Sequence, residues 1–253
     1  MLYLIGLGLW DEKDISLRGL EAARDCDVLY LENYTSRLVG SDKEKLEKIL
    51  GKQIQSVNRA FIESGEILNY AIKRSAGLLT AGDPMIATTH SDLLLRAKEK
   101  GIKTQIIHNA SIFGAIAETG LQIYRFGKTA TITFWEENYR PTSFYDAIAE
   151  NQKRGLHTLM LLDLRAEENK FMNAAQGLKT LLEIAQEKGD SAVTPDTPAV
   201  VCAQLGSPKS KITYGTISQL MTADTGLPLQ VIIIPAPALH EMEQKFLEQF
   251  RVK

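Results

Sequence analysis

The chain has 253 residues, enough for one large domain or two of ordinary size. Hydrophobic residues make up 44% and charged residues 24%, a globular mixture. The formal net charge of −2 and a pI of about 6.1 exclude the basic footprint of a protein that depends on nucleic-acid phosphates. Leu2 to Ile5 is a continuous apolar run and predicts a buried strand, followed at once by Gly6-Leu7-Gly8. Asp14 or Ser16 can cap a helix carrying Leu17, Leu20 and Ala23 on one face. Val28 to Leu31 is a second strand, and Glu32 to Gly40 is a polar loop. Ser41 and Glu44 have capping-box spacing ahead of a helix to about Leu50. Gln53 to Val57 is a third strand, followed by a helix from about Ile62 to Lys73. The apolar run Ala76 to Ala81 is a fourth strand, stopped by Gly82-Asp83-Pro84, with a helix from near Thr88 to Lys100. Lys103 to His108 is a fifth strand, and Ser111 can cap a helix to about Thr119.

Gly120 to Gly127 reads as a joint, after which the pattern restarts. Strands are expected at Thr129–Phe134, Thr158–Leu162, Ala199–Leu205, Lys211–Tyr214 and Leu229–Ile234. Helices are expected from Pro141-Thr142 to about Arg154, from Asn169 or Asn173 to about Lys188, from Thr216 to about Thr222, and from Leu239 to Phe250. Strands alternating with helical patterns argue for an α/β protein with a parallel, two-faced sheet in its first half. The expected division is an N-terminal α/β domain over residues 1–119 and a C-terminal α/β domain over 120–253. A cleft between two such domains is the default ligand site.

No apolar run approaches the ~20 residues of a membrane span. Met1 to Trp10 is too short for a signal sequence and lacks a basic leader. Cys26 and Cys202 each stand in an apolar segment, as reduced buried thiols do, so a cytoplasmic protein is expected. His90, His108, His157 and His240 give no metal-ligand spacing, and no metal is expected. Gly6-Leu7-Gly8 does not continue as a dinucleotide fingerprint, because Asp11 stands where the third glycine belongs. No phosphate-binding GxxxxGK[ST] and no GxSxG nucleophile elbow occurs. Gly82-Asp83-Pro84 taken alone is an ordinary turn composition. Its place at a strand's carboxyl end is nonetheless where an open α/β sheet binds ligands. Ser111 is equally a cap or the start of a set of exposed N–H groups able to hold a carboxylate.

Four stretches carry more than these signals: YLIGLGLWDEKDIS from Tyr3, LLTAGDPMIATTHSDLLLRAK from Leu78, IHNASIFGAIAETGLQIYRFGK from Ile107 and GLHTLMLLDL from Gly155. Together they resemble the diphthine synthase family, of the short archaeal type, within the tetrapyrrole-methylase-like class of methyltransferases. GDPxxATTH followed by HxxSI is the combination specific to that family within the class. The resemblance implies the tetrapyrrole methylase fold: two α/β domains, a mainly parallel sheet in the first, a mixed sheet in the second and the ligand cleft between them. It implies a homodimer that binds S-adenosyl-L-methionine. It also implies methyl transfer to the amino group of a 3-amino-3-carboxypropyl-histidine on translation elongation factor 2, in diphthamide biosynthesis. Carried onto this sequence, the cofactor contacts are Leu9, Asp83, Ile86, Ser111, Ile112, Leu162, Leu205 and His240. Most of these, with the residues after Ile234, fall at predicted strand ends, which are expected to converge on one crevice.

Methyl transfer asks little of side chains. The acceptor is an α-amino group with a pKa of roughly 7.7–8.0, so part of it is neutral at pH 7. Alignment supplies the rest, and no catalytic residue is assigned. Three alternatives share the sequence features. One is a methyltransferase of the same class acting on a corrin or porphyrin precursor. The second is an RNA ribose methyltransferase, disfavoured by the acidic pI. The third is a non-catalytic protein that binds a nucleoside-like ligand.

Overall fold

The computed structural model describes residues 1–32, 34 and 36–252, with every side chain among them but that of Glu167. Asn33 and Thr35 of the expected polar loop, and Lys253, lie outside the described residues. The chain forms two compact units, Met1–Phe113 with Leu164–Lys170, and Gly114–Asp163 with Phe171–Lys253. No helix among the described residues is long and apolar enough to cross a membrane.

The first unit is built on β1 (Leu2–Gly6), β2 (Val28–Glu32), β3 (Ile54–Val57), β4 (Ala76–Thr80) and β5 (Thr104–Ile107), in the order β3-β2-β4-β1-β5. Every pair is parallel, and Leu4 of β1 stands between Leu78 of β4 and Ile106 of β5. Successive side chains of a strand point to opposite faces, and both faces are buried here. Leu2, Leu4, Tyr30 and Leu78 pack with Ile62, Ile67, Leu68 and Leu93 on one face; Ile5, Leu7, Leu29 and Leu79 pack with Ala22, Ala23, Leu46 and Leu50 on the other.

The helices are α1 (Leu17–Asp25), α2 (Lys43–Leu50), α3 (Arg59–Ser64), α4 (Glu66–Ala71), α5 (His90–Glu99) and α6 (Ile112–Ala115). Three sequence expectations change. Leu17 is 79% exposed, and α1 turns Gly19, Ala22 and Ala23 inward instead. Small residues let the helix lie close to the sheet: a Cβ at Gly19 would come within 3.2 Å of Ile5. Asp42, not Ser41, caps α2 by accepting from Lys45 N–H, while the Ser41 hydroxyl donates to Glu12. The single helix expected over Ile62–Lys73 is two, because Gly65 adopts φ +78 and ends α3 in the left-handed conformation.

The second unit carries β6 (Ala130–Ile132), β7 (Thr158–Leu162), β10 (Pro198–Ala203), β11 (Lys211–Thr216) and β12 (Gln230–Ile234), ordered β11-β10-β12-β7-β6. Only β6 and β7 are parallel, so the sheet is mixed. Between β7 and β10 the chain forms a two-stranded ribbon of β8 (Leu164–Arg165) and β9 (Lys170–Phe171), which the sequence pattern does not announce. Helices α7 (Ser143–Lys153) and α8 (Ala174–Lys188) contribute Phe144, Ile148, Leu178 and Leu181 to a core shared with Met160, Val201 and Ile232. Asn173 and Thr216 form the capping boxes of α8 and α9 (Ile217–Leu220). Both cysteines are buried and unbridged, and burial pushes the Cys26 thiol up to about 11.

The last helix, α10 (Glu241–Leu247), is held by one carboxylate. Glu243 is fully buried and accepts from Gln122 N–H at 3.0 Å, His240 N–H at 2.8 Å, His157 Nε2 at 3.0 Å and the Arg125 guanidinium. His157 Nδ1 accepts from Ala236 N–H at 2.9 Å, so the imidazole is neutral with its proton on Nε2. Burial lowers the His157 pKa, against the opposing pull of Glu243. Burial alone would raise the Glu243 carboxyl, but the hydrogen bonds from Gln122, His240 and His157 hold it below its usual range.

Both depressed values act with the same sign. The unfolded chain takes up a proton at His157 below its ordinary pKa of about 6.5 and the folded chain does not, so stability falls as pH drops past that point. Glu243 adds a further loss as the pH falls through its depressed folded value. Urea unfolding at pH 8, 6.5 and 5 is expected to give a plateau and then a decline of up to about 1.4 kcal/mol per pH unit from His157. A His157→Gln variant that kept the full decline between pH 7 and 5 would remove His157 as its source.

Candidate functional site

In the first unit, three strand ends meet at Gly82-Asp83-Pro84. Beyond β1 and β4 the chain continues as a short antiparallel bridge, with Gly8 N–H on Gly82 O at 3.2 Å and Gly82 N–H on Gly8 O at 2.6 Å. This approach needs glycine. A Cβ at Gly6 would stand 2.6 Å from Gly82 O and 2.8 Å from Asn109 Cβ, and one at Gly8 would stand 2.5 Å from Asp14 Cβ. Gly82 itself has φ +75.

Asp83 is 6% exposed and ties the β4 turn to the β5 turn. Its Oδ1 accepts from Met85 N–H at 2.9 Å; its Oδ2 accepts from Asn109 N–H at 3.1 Å and from His108 Nδ1 at 2.8 Å. The carboxylate is thus occupied by the fold, and its backbone carbonyl takes Ile86 N–H at 3.2 Å.

Two residues outside the expected contact set, Asn109 and Asp14, complete the knot. Asn109 Nδ2 donates to Gly6 O at 2.9 Å and Asp14 O at 3.0 Å, joining β5 to β1. Asp14 is not the cap of α1, a role taken by Ser16. Its Oδ2 accepts instead from Leu9 N–H at 3.1 Å and Trp10 N–H at 2.7 Å and so shapes the loop after β1. The available signal was the loop Gly6–Trp10 itself, whose N–H groups need acceptors once β1 ends.

Of the eight expected contact residues, Leu9, Asp83, Ile86, Ser111 and Ile112 belong to the first unit. They stand on the loops after β1, β4 and β5, and all but Asp83 are half-buried. Leu162, Leu205 and His240 belong to the second unit. There β10 and β7 run the same way with β12 antiparallel between them, so Leu162 and Leu205 leave the sheet by one edge. The residue that β12 brings to that edge is Gln230, paired with Ala203. The Gln230 side chain accepts from Ala174 N–H at 2.8 Å and donates to Gly226 O at 2.9 Å.

The expectation that the chain after Ile234 joins the same set of strand ends is corrected here. Because β12 is antiparallel, that chain leaves by the opposite edge, where Ile234 pairs with Thr158 at the start of β7. His240 is the N-cap of α10, its Nδ1 accepting from Met242 N–H at 3.2 Å. Two residues with positive φ flank expected positions: Ala87 (φ 55) follows Ile86, and Gln204 (φ 48) precedes Leu205. Such backbone outside glycine is uncommon and concentrates at functional loops.

Residues 1–221 match the model of the family described as Tetrapyrrole (Corrin/Porphyrin) Methylases. The chain is similar to a protein of Methanocaldococcus jannaschii named diphthine synthase, 48% identical over 252 residues that cover 98% of each chain. It is also similar to a protein of Saccharomyces cerevisiae named diphthine methyl ester synthase, 45% identical over 267 residues that cover 99% of this chain and 89% of the relative. A solved structure titled diphthine synthase superposes with a TM-score of 0.90 at 38% identity, covering 99% of this chain and 95% of that one.

Proposed function

Since this chain belongs to the tetrapyrrole methylase family, within it to the diphthine synthases, and is an S-adenosylmethionine-dependent methyltransferase, we propose that its acceptor is a 3-amino-3-carboxypropyl-histidine on translation elongation factor 2. The methyl groups go successively to the amino nitrogen, in the cytoplasm, and the working form is a homodimer. The observation that carries the reading is the junction of β1, β4 and β5 around Asp83, built from the same stretches that carry the family resemblance.

The junction suits the cofactor. A Cβ added at Gly82 would meet only Ser111 Cβ at 4.0 Å among the described residues, so the space over that turn is open toward the β5 loop. Leu9, Ile86 and Ile112 offer apolar walls and main-chain groups, and Ser111 offers a hydroxyl, which matches a nucleoside joined to an amino acid. In the second unit the proposal rests on Leu162 and Leu205; the imidazole of His240 is engaged in capping α10. When bound, S-adenosylmethionine supplies a methyl group on a cationic sulfur, open to in-line attack by a nitrogen lone pair. The residues of this chain hold and orient; Asp83 acts by fixing the turn, since its oxygens are already engaged.

The test is methyl transfer followed by mass spectrometry. Incubation with S-adenosylmethionine and elongation factor 2 bearing the precursor side chain is expected to add methyl groups one after another until the nitrogen is quaternary. The yeast relative's name carries a methyl ester besides. A further methyl lost on mild base treatment would mark ester formation and overturn the nitrogen-only product. No gain on the factor, with turnover of a corrin or porphyrin precursor, would overturn the substrate.

A further inference from the structure

The first unit contains a cavity of about 270 Å³ beside the knot of strand ends, lined by Leu7, Ala81 and Glu32. Leu7 and Ala81 immediately precede Gly8 and Gly82, so the cavity adjoins the bridge between β1 and β4. Its volume suits a group of several heavy atoms, since one water needs only about 10–15 Å³ of such space. Leu38 and Leu46 form apolar wall, and Arg37 and Lys43 also line it.

Glu32, the last residue of β2, is 1% exposed. Its Oε2 lies 3.1 Å from Nε2 of the fully buried His90, whose Nδ1 lies 2.7 Å from Pro84 O in the Gly-Asp-Pro turn. A carbonyl only accepts, so Nδ1 carries a hydrogen. One further proton then lies between Nε2 and Oε2, on either atom. In both arrangements Oε1 keeps its lone pairs, and Oε1 has no hydrogen-bond partner among the described residues. A buried carboxylate oxygen left without a donor costs free energy and calls for an explanation.

We propose that this cavity seats the reacting end of the acceptor, with Glu32 Oε1 accepting a hydrogen bond from its amino group and Arg37 and Lys43 facing its carboxylate. The inference rests on the substrate reading above and names the part of the site that recognises it. The acceptor end carries one ammonium or amine and one carboxylate, which match the buried Glu32 and the cations Arg37 and Lys43. The lining also holds Ser41 and Asp42, whose carboxylate caps α2, and Lys43 pairs with Glu47 at 3.6 Å as well. In each transfer the nitrogen lone pair forms the new N–C bond, and the electrons of the breaking C–S bond stay on sulfur. The alkylated nitrogen then carries one proton more than the amine. With the bridging proton on His90 Nε2, Glu32 is a carboxylate; the nitrogen passes its proton to Oε1 and on to water before the next transfer. Once quaternary, the nitrogen has no N–H left to donate, so the hold of Glu32 ends with the last methylation.

The variants are Glu32→Gln and Ala166→Phe, the second adding bulk at a cavity-lining residue outside the sheet. S-adenosylhomocysteine affinity is measured by calorimetry, and kcat and KM on the precursor-bearing factor by mass spectrometry. Glu32→Gln is expected to keep cofactor-product affinity within about twofold and to lower kcat/KM by about ten- to a hundredfold, the value of a hydrogen bond to a charged group. Ala166→Phe is expected to raise KM with the same affinity retained, and it decides the matter if Glu32→Gln does not melt cooperatively. Unchanged kcat/KM in both variants overturns the cavity assignment. Loss of S-adenosylhomocysteine binding in step with turnover overturns it too, by placing Glu32 in support of the cofactor turn. If wild-type protein leaves the factor unmodified, the substrate reading itself fails.

Discussion

Asp83→Ala is expected to weaken S-adenosylhomocysteine binding at least about tenfold, or ~1.4 kcal/mol, while the variant still folds. The carboxylate accepts three hydrogen bonds, and two of the donors are main-chain N–H groups, of Met85 and Asn109. Removing it strands both donors at part-buried positions. Two fully buried donors would cost about 2–6 kcal/mol; partial access to water places the expected stability loss in the lower part of that range, about 2–4 kcal/mol. The His108 side chain is 68% exposed and regains water, which makes its share small. The effect on binding arises because the turn after β4 is no longer pinned to the loop after β5. Asp83→Asn restores one acceptor but turns an NH2 group toward a remaining donor, so it recovers part of the loss. Calorimetric titration of both variants checks this. An Asp83→Ala protein that binds S-adenosylhomocysteine as tightly as wild type would remove the turn from the site.

The second large effect is structural. Glu243→Ala is expected to cost about 3–5 kcal/mol, the range for removing one partner of a buried ion pair. Arg125, only 23% exposed on its side chain, loses its countercharge, and Gln122 N–H, His240 N–H and His157 Nε2 lose their common acceptor. Glu243→Gln keeps one carbonyl oxygen and is expected to lose less. Urea unfolding followed by Trp135 fluorescence, in a Trp10→Phe background, reads the second unit by itself. A midpoint unchanged in Glu243→Ala would show that the start of α10 is held by other contacts.

Strands β1, β4, β7 and β12 were legible because each is an apolar run cut off by a turn residue, as at Thr80 before Ala81-Gly82. The Thr216 cap was legible too, while Ser16 and Asn173 were each one of two candidates between which the structure decides. The ribbon of β8 and β9 was not, because two-residue strands carry no periodicity. Neither was the direction of β12. An apolar run reads alike whether it pairs parallel or antiparallel, yet that direction decides whether Gln230 or the chain toward His240 stands beside Leu162 and Leu205. Asp14 was read by a local rule, as a cap, and Asn109 carried no local signal, because it binds backbone far away in sequence. Glu32 was read as the start of a polar loop and His90 ends the GDPxxATTH stretch, and only the fold makes them neighbours.

The strand order of the first unit also governs how the chain can assemble. β1 has no sequence-near partner: its neighbours are β4, in the register Leu2↔Ala76, and β5, in the register Leu2↔Thr104. β2 and β3, by contrast, pair across a single helix. During synthesis the edge of the sheet can therefore form while its first strand waits. The centre closes only when Ala76–Thr80 has been made and inserts between β1 and β2. Long-range parallel pairing of this kind is slow and leaves an apolar strand unpaired in the interval. The strand that ends in the glycine loop of the site is thus made well before its partners and stays unpaired until β4 inserts beside it.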